Sequence, residues 1–404
     1  AVADARTRLT AIRSPWIASP LADKLDEAKT KLDDAAPSIT NARDATAVLP
    51  VLLGEGAGTK YLILFGTPVE ARGRTGFPGN WAEMIAIDGQ VRMTRFGRLI
   101  ELNDVGIPER DRRITGPDDY VSHYGRFLPA QYWQNVPMSP EVPSVAQAAA
   151  ELFPQSGGGE IDGVLFIDVE GIRSLLQLSG PVKVDLVDEE LTADNALDLL
   201  LRRQYIDLPN DERIGFLGQV ARATLTRLTS EKLPGVRTMA DVLGDAAAKG
   251  HIRFVSFDDR VKPLLSRNRL DGALGPVDGD DVMLLTNNAG GNKIDLFLQR
   301  NLAYDVTWNP TTGAVDGTLT VTLKNDAPAT GLPKSLIGNA IDDPGPFQSV
   351  PPAGTNRMWL SVYSAFAADS ITLDGQPTLA EFDHEAGRNV ASLLVDVPAG
   401  GTRT

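Results

Sequence analysis

The 404-residue chain has no cysteine, only three histidines (His123, His251, His384) and no long apolar run. Without cysteine there is no disulfide, no thiolate-bound zinc, no iron–sulfur cluster and no thiol nucleophile. Three widely separated histidines leave little for a His-rich metal site. No window reaches the roughly eighteen apolar residues of a membrane span, and no signal peptide is visible. The common catalytic signatures are missing too. Gly56–Lys60 lacks the spacing of a phosphate-binding P-loop, and neither HExxH nor GxSxG occurs, which removes zincins and ordinary α/β-hydrolases. Asp278-Gly279-Asp280-Asp281 lacks the twelve-residue ligand ladder of a calcium loop and reads as a solvated turn. Lysine is scarce, with 11 residues against 28 arginines.

What is present is an ordinary globular composition, 42% apolar and 23% charged, long enough for two or three domains of about 150 residues each. The net charge of −14 argues against nucleic acid as a partner, because phosphate neutralisation must supply much of that affinity. Positive charge stored as arginine leaves a different option open. Arginine reads phosphate and carboxylate bidentately, whereas lysine is a point charge. A local anion pocket therefore stands beside the plainer alternative, arginine as a habit of a GC-rich genome. The chain begins at Ala1 in mid-pattern and reads as a trimmed ectodomain or mature fragment.

Residues 1–49 read as a helical neck. Leu21, Leu25, Ala28, Leu32 and Ala36 or Ile39 recur at helical spacing, after a Ser19-Pro20 start. Residues 50–287 read as a three-layer α/β/α domain with a mixed sheet. Tyr61–Phe65 is an apolar run suited to a strand covered on both faces. Trp81–Ile87, Asp88-Gly89 and Val91–Thr94 spell a hairpin with a type I′ turn. A helix from Ser139-Pro140 to Phe153 follows. Ile161–Val187 reads as strand, helix and strand, with Gly180 ending the helix and Val182–Val187 as the second strand. Helices are expected from Thr192 to Arg203, Asp211 to Leu228 and Met239 to Lys249, then strands at Ile252–Phe257 and Val282–Asn287. Residues 288–404 alternate as strands punctuated by Asn, Gly, Pro and Asp, an all-β, immunoglobulin-like sandwich.

The chemically suggestive stretch is Glu70-Ala71-Arg72-Gly73-Arg74-Thr75-Gly76-Phe77, directly after a buried strand. Loops leaving the C-terminal ends of sheet strands are where open α/β folds bind ligands. Arginines two apart among glycines offer guanidinium forks and backbone N–H groups to an anion. With Arg95, Arg98, Arg202, Arg203 and Arg213 brought alongside, they would form an arginine cage for phosphate or pyrophosphate. The competing reading pairs these arginines with Glu83, Glu101, Asp104 or Asp211 on the surface.

Tyr61–Phe65 followed by Glu70-Ala71-Arg72-Gly73-Arg74-Thr75-Gly76-Phe77 resembles the opening motif of the domain-of-unknown-function 4012 family. Gly66-Thr67-Pro68 stands where that family usually has Gln-Asn-Asn. The resemblance continues through Pro140–Pro143, Ile161–Val164, Gly180–Val182, Leu191–Asn195, Asn287–Asp295 and Asn325–Pro328. It implies an extracytoplasmic protein of actinobacteria and other Gram-positive bacteria, held to the cell envelope by an N-terminal membrane anchor. The family is in turn distantly similar to the LytR-CpsA-Psr enzymes, which move glycopolymers from polyprenyl-diphosphate carriers onto peptidoglycan. That similarity implies Glu70, Arg72 and Arg74 as catalytic residues, with Glu70 orienting arginine or acting as base. It implies Arg98, Arg203 and Arg213 as diphosphate-binding residues. The aspartates that would hold magnesium are replaced by Gly76 and Leu99, so the resemblance names no metal ligand and no certain cofactor, and magnesium stays only an option. Glu70 or Asp104 are the replacement candidates.

Two functions stay level on this reading. One is a phosphotransferase or pyrophosphate hydrolase acting on a polyprenyl-linked glycan. The other is an anchored, non-catalytic binding or assembly module with the same kind of ligand. A glycoside hydrolase is the remaining alternative, with abundant carboxylates but no supporting spacing.

Overall fold

The structure is a computed structural model that describes residues 2–12, 19–209, 215–230, 234–339 and 349–404. The neck is two helices, α1 (Val2–Ala11) and α2 (Ser19–Leu52). Only the C-terminal end of α2 has a buried seat, where Val48 packs with Val261 and Leu265, while Leu21 and Ile39 stay exposed. Among the described residues no helix is long and apolar enough to cross a membrane.

The central sheet contains β1 (Thr59–Thr67), β2 (Phe77–Ile87), β3 (Gln90–Arg98), β4 (Gly163–Ile167) and β5 (Ile252–Ser256), in the order β3-β2-β1-β4-β5. Only β1 and β4 run parallel, so the sheet is mixed, as expected. The continuous apolar run of β1 is explained by its two faces. Leu62 and Leu64 enter one core with helix α4 (Val142–Gln155), whereas Ile63 and Phe65 enter another with α5 (Val169–Ser179) and α6 (Phe216–Ser230). Successive strand residues point to opposite faces, so a strand between two helical layers must be apolar throughout. Each fully buried Leu or Phe there contributes about 1.5–3 kcal/mol. Two further helices follow α6, namely α7 (Val236–Ala248) and α8 (Lys262–Arg267). The β2–β3 turn places Asp88 and Gly89 at positive φ, as the type I′ reading requires.

Two expectations are corrected. Val182–Val187 is not a strand. Both edges of β4 are taken, by β1 and β5, so the segment cannot pair beside the strand it follows. It bends back instead, bridging Val182 to Leu191, and buries Val182 and Val184 in the helical layer. The helix expected from Thr192 to Arg203 begins at Ala196 and runs to Asp207, widened into a π turn at Leu199–Arg203.

A further correction concerns β6 (Val282–Asn288). It pairs with β9 (Asn356–Ser364) and therefore belongs to the C-terminal β module, not to the central sheet. That module stacks β12 (Glu381–Glu385)-β13 (Arg388–Val397)-β9-β6 against a three-stranded sheet, β14 (Thr402–Arg403)-β8 (Val315–Asn325)-β7 (Leu298–Trp308). Leu323, Met358, Leu360, Val395 and Val397 fill the space between the two sheets. A small hairpin of β10 (Thr372–Leu373) and β11 (Gln376–Pro377) lies outside them.

Candidate functional site

The loop between β1 and β2 does not open to solvent. It docks on the β module through a ladder of bonds to the segment that leaves β6. The N–H of Asn288 donates to the Ala71 carbonyl (2.8 Å), and that of Gly73 to Asn287 Oδ1 (2.8 Å). The N–H of Ala71 donates to Asp295 Oδ2 (2.8 Å), and that of Asp295 to the Val69 carbonyl (3.2 Å). Asp295 also accepts from the Asn288 and Asn356 side-chain amides at 2.8 and 3.0 Å. Its carboxylate is consumed in holding backbone and amide donors. The two motifs singled out in the sequence, 70–77 and 287–295, are thus the two sides of one lock.

Glycine is required on the loop side. Gly73 sits at φ +54°, and a Cβ there would lie 1.9 Å from the Pro137 carbonyl oxygen. Gly76 sits at φ +75°, and a Cβ there would lie 2.6 Å from the Thr67 carbonyl oxygen. An aspartate at 76 would meet both the strain and the clash. Leu99 is 1% exposed in the core beside α4, where a carboxylate would be buried without a partner. The residues present do not fit a magnesium site of the kind the resemblance suggested. Among the described residues, no group of three His, Asp or Glu is placed to hold a metal ion.

Glu70 is 3% exposed and forms an ion pair with Lys293. Burial pushes the Lys293 ammonium down to about 8, against the pull of nearby Asp295. Two cations stand over the Phe77 ring, Lys293 Nζ at 4.9 Å and Arg72 Cζ at 5.9 Å from its centroid. Arg72 donates to Asn135 Oδ1 (3.3 Å), and its Nε is buried without a partner. Burial lowers that guanidinium to about 10. Arg74 donates to the Gly272 carbonyl (2.9 Å), and its own carbonyl accepts from Arg253 (2.8 Å).

The five candidate residues that the structure describes are not gathered into a cage. Glu70, Arg72 and Arg74 are in the lock. Arg98 is exposed at the end of edge strand β3. Arg203 is on the surface, paired with Glu189 (2.6 Å) and Asp207 (3.1 Å). Arg213 lies outside the described residues. Sequence reasoning missed Lys293, although its stretch was singled out, because its partner Glu70 is 223 positions away.

A second polar contact between the modules surrounds Glu385, which is 1% exposed. It accepts from Ser139 Oγ (2.5 Å), Tyr363 Oη (2.5 Å) and Tyr124 Oη (3.1 Å), the last from helix α3 (Asp118–Tyr124). Burial pushes its carboxyl above the usual range. Beside it, His123 Nδ1 is bonded to Asp383 Oδ2 (2.7 Å).

An accessible cavity of about 420 Å³ lies next to the lock. Arg202 and Ile206 from the π-turn run form one wall, and Leu296, Phe297, Leu332 and Leu336 from the β module form the other. Leu336 joins Val69, Tyr205 and Ile294 in the apolar cluster between the modules. Among the described residues Arg202 has no acidic partner.

No curated protein matches the sequence. Two solved structures are similar at low TM-score. One, described as the transcriptional regulator yvhJ from Bacillus subtilis, has a TM-score of 0.27 and 10% identity, over 56% of this chain and 85% of that one. The other, the Lin1025 protein from Listeria innocua, has a TM-score of 0.24 and 12% identity, over 65% and 91%. Residues 57–205, which hold β1 to β4 and the loop side of the lock, match the family described as "Protein of unknown function (DUF4012)".

Proposed function

We propose that this protein is a non-catalytic binding module of the cell envelope, extracytoplasmic and membrane-anchored. Its ligand is an amphiphile with an anionic head, of the polyprenyl-phosphate kind. The observation that carries this reading is the cavity between the modules, with apolar walls and Arg202 as its cation. Ligand sites are typically concave, mostly apolar and of a few hundred Å³, with few polar groups that fix orientation. The loop arginines are buried beside the lock and do not line this cavity, which leaves Arg202 as its cation. The layered mixed sheet and the stacked β module agree with a LytR-CpsA-Psr-like core followed by an immunoglobulin-like sandwich, which this reading adopts.

The test is calorimetric titration of the full chain with farnesyl phosphate, beside farnesol and inorganic phosphate. Farnesyl phosphate binds, farnesol binds about ten-fold or more weakly, and phosphate alone does not register, since a charge-assisted bond supplies roughly 1.5–3 kcal/mol. Absence of farnesyl phosphate binding overturns the proposal. The unpartnered Nε of Arg72 beside Lys293 favours a second reading, a phosphotransferase or pyrophosphate hydrolase. Release of phosphate from farnesyl diphosphate, lost in Arg72→Lys, would put that reading first.

A further inference from the structure

β12 is an edge strand, paired along one side to β13 alone. Alternate residues of a strand share a face. One face of β12 carries Glu381, Asp383 and Glu385, three carboxyls with no apolar side chain among them. Each is taken by the segment around α3. Arg126 pairs with Glu381, His123 Nδ1 is bonded to Asp383 Oδ2 (2.7 Å), and Tyr124 Oη donates to Glu385 (3.1 Å). Just beyond the strand, the Ala386 N–H donates to Asp119 Oδ2 (2.9 Å). On the strand's side the contact buries no apolar side chain, so its strength rests on hydrogen bonds and charge. Phe382 and His384, on the opposite face, are exposed.

The three carboxyls are not equivalent. The side chains of Glu381 and Asp383 keep 55% and 38% of their surface in water, whereas Glu385 is closed off. Its partners are neutral hydroxyls, Ser139 on Oε1 and Tyr363 and Tyr124 on Oε2. Among the described residues no cation is paired with it. Arg388, its neighbour across the strands, is spent on Asp281 and on the carbonyls of Leu274, Gly275 and Ala386. Nearby Glu141, whose N–H donates to Ser139 Oγ (3.0 Å), adds a second carboxyl that opposes ionisation. A carboxyl buried without a countercharge relieves the cost by keeping its proton.

The tyrosines point the same way. Tyr124 Oη and Tyr363 Oη also meet each other, at 2.6 Å, so three oxygens make three mutual contacts. Two phenolic protons fill only two of them. An acid proton on Oε2 supplies the third by reversing one tyrosine bond.

We infer that the contact between α3 and β12 is an acid-closed clamp, in which protonated Glu385 holds the edge strand down and loss of its proton releases β12 while the lock stays shut. The inference does not depend on the ligand proposed for the cavity.

Hydrogen exchange of the full chain from pH 4.5 to 7, corrected for the intrinsic pH dependence of exchange, tests it. In this range Lys293, at about 8, keeps its charge, so the lock serves as internal reference. Protection at 381–386 is expected to fall as pH rises, by up to about ten-fold per pH unit, the limit for one proton. The amides of Ala71, Gly73, Asn288 and Asp295 keep theirs. Glu385→Gln, an acid-like amide with nothing to titrate, makes protection at 381–386 flat across the range. Infrared titration of the parent reads the proton directly. A carboxylic C=O band should persist above the ordinary carboxyl range and fade together with that protection. A parent whose protection at 381–386 is independent of pH overturns the inference, as does the absence of the band. A pH dependence that survives Glu385→Gln overturns it too, whether or not His123→Asn removes it. Parallel loss of protection at the lock would be unfolding of the whole and equally contradicts a clamp.

Discussion

Two arginine pairs lie in connections of the α/β domain that border the β module, and they are used in opposite ways. Arg72 and Arg74 lie in a glycine-rich loop at the end of a central strand, the setting most suggestive of a phosphate site. Their guanidiniums are buried against Asn135 and the Gly272 carbonyl, in a loop whose backbone bonds hold two modules together. Arg202 and Arg203 lie in a π turn with no such setting. Arg203 is consumed by Glu189 and Asp207, whereas Arg202 is left for the cavity. What an arginine can bind depends on what it already donates to, and that is a tertiary fact.

This contrast can be broken from the lock side first. Gly73→Ala drives a Cβ into the Pro137 carbonyl at positive φ, and a loss of about 4–5 kcal/mol is expected by denaturant unfolding. Lys293→Met leaves Glu70 buried without its cation and costs about 3 kcal/mol, whereas Glu70→Leu with Lys293→Met recovers most of that loss. If the single change were harmless, the pair would not be part of the lock.

Glu385 sharpens the same comparison through pH. Its folded carboxyl is raised above the ordinary value of 4.5, so between the two values the native state binds more protons than the unfolded chain. Its contribution is therefore complete at low pH and is lost as pH rises through that window. In Glu385→Gln this part of the stability–pH slope disappears, at a cost near 1 kcal/mol at pH 4, where the acid is protonated and fully bonded. Thermal melts from pH 4 to 8 measure both effects. The smallest effect is expected at Arg203→Ala, an exposed ion pair whose loss leaves the melting temperature unchanged.

Much of the fold was legible, for reasons visible in particular elements. The apolar run 61–65 had to be a strand between layers, and Asp88-Gly89 had to turn a hairpin, because both signals are local. Val182–Val187 has the composition of a strand but no free place beside β4, and that place is taken by β5, some 70 residues later. Val282–Asn288 was recognisable as a strand, yet only its pairing with β9 assigns it to the β module. The candidate site was legible in part. The stretches 70–77 and 287–295 both stood out, but neither reveals alone that it is half of an interface. Arg202 stood among seven arginines with nothing in its neighbours to mark it.

The most direct test of the account is farnesyl phosphate titrated into Arg202→Ala and Arg203→Ala, adjacent changes in one exposed turn. The account predicts that Arg202→Ala weakens binding at least about ten-fold while Arg203→Ala leaves it unchanged, with both variants melting like the parent. Equal affinity in Arg202→Ala and the parent would contradict it.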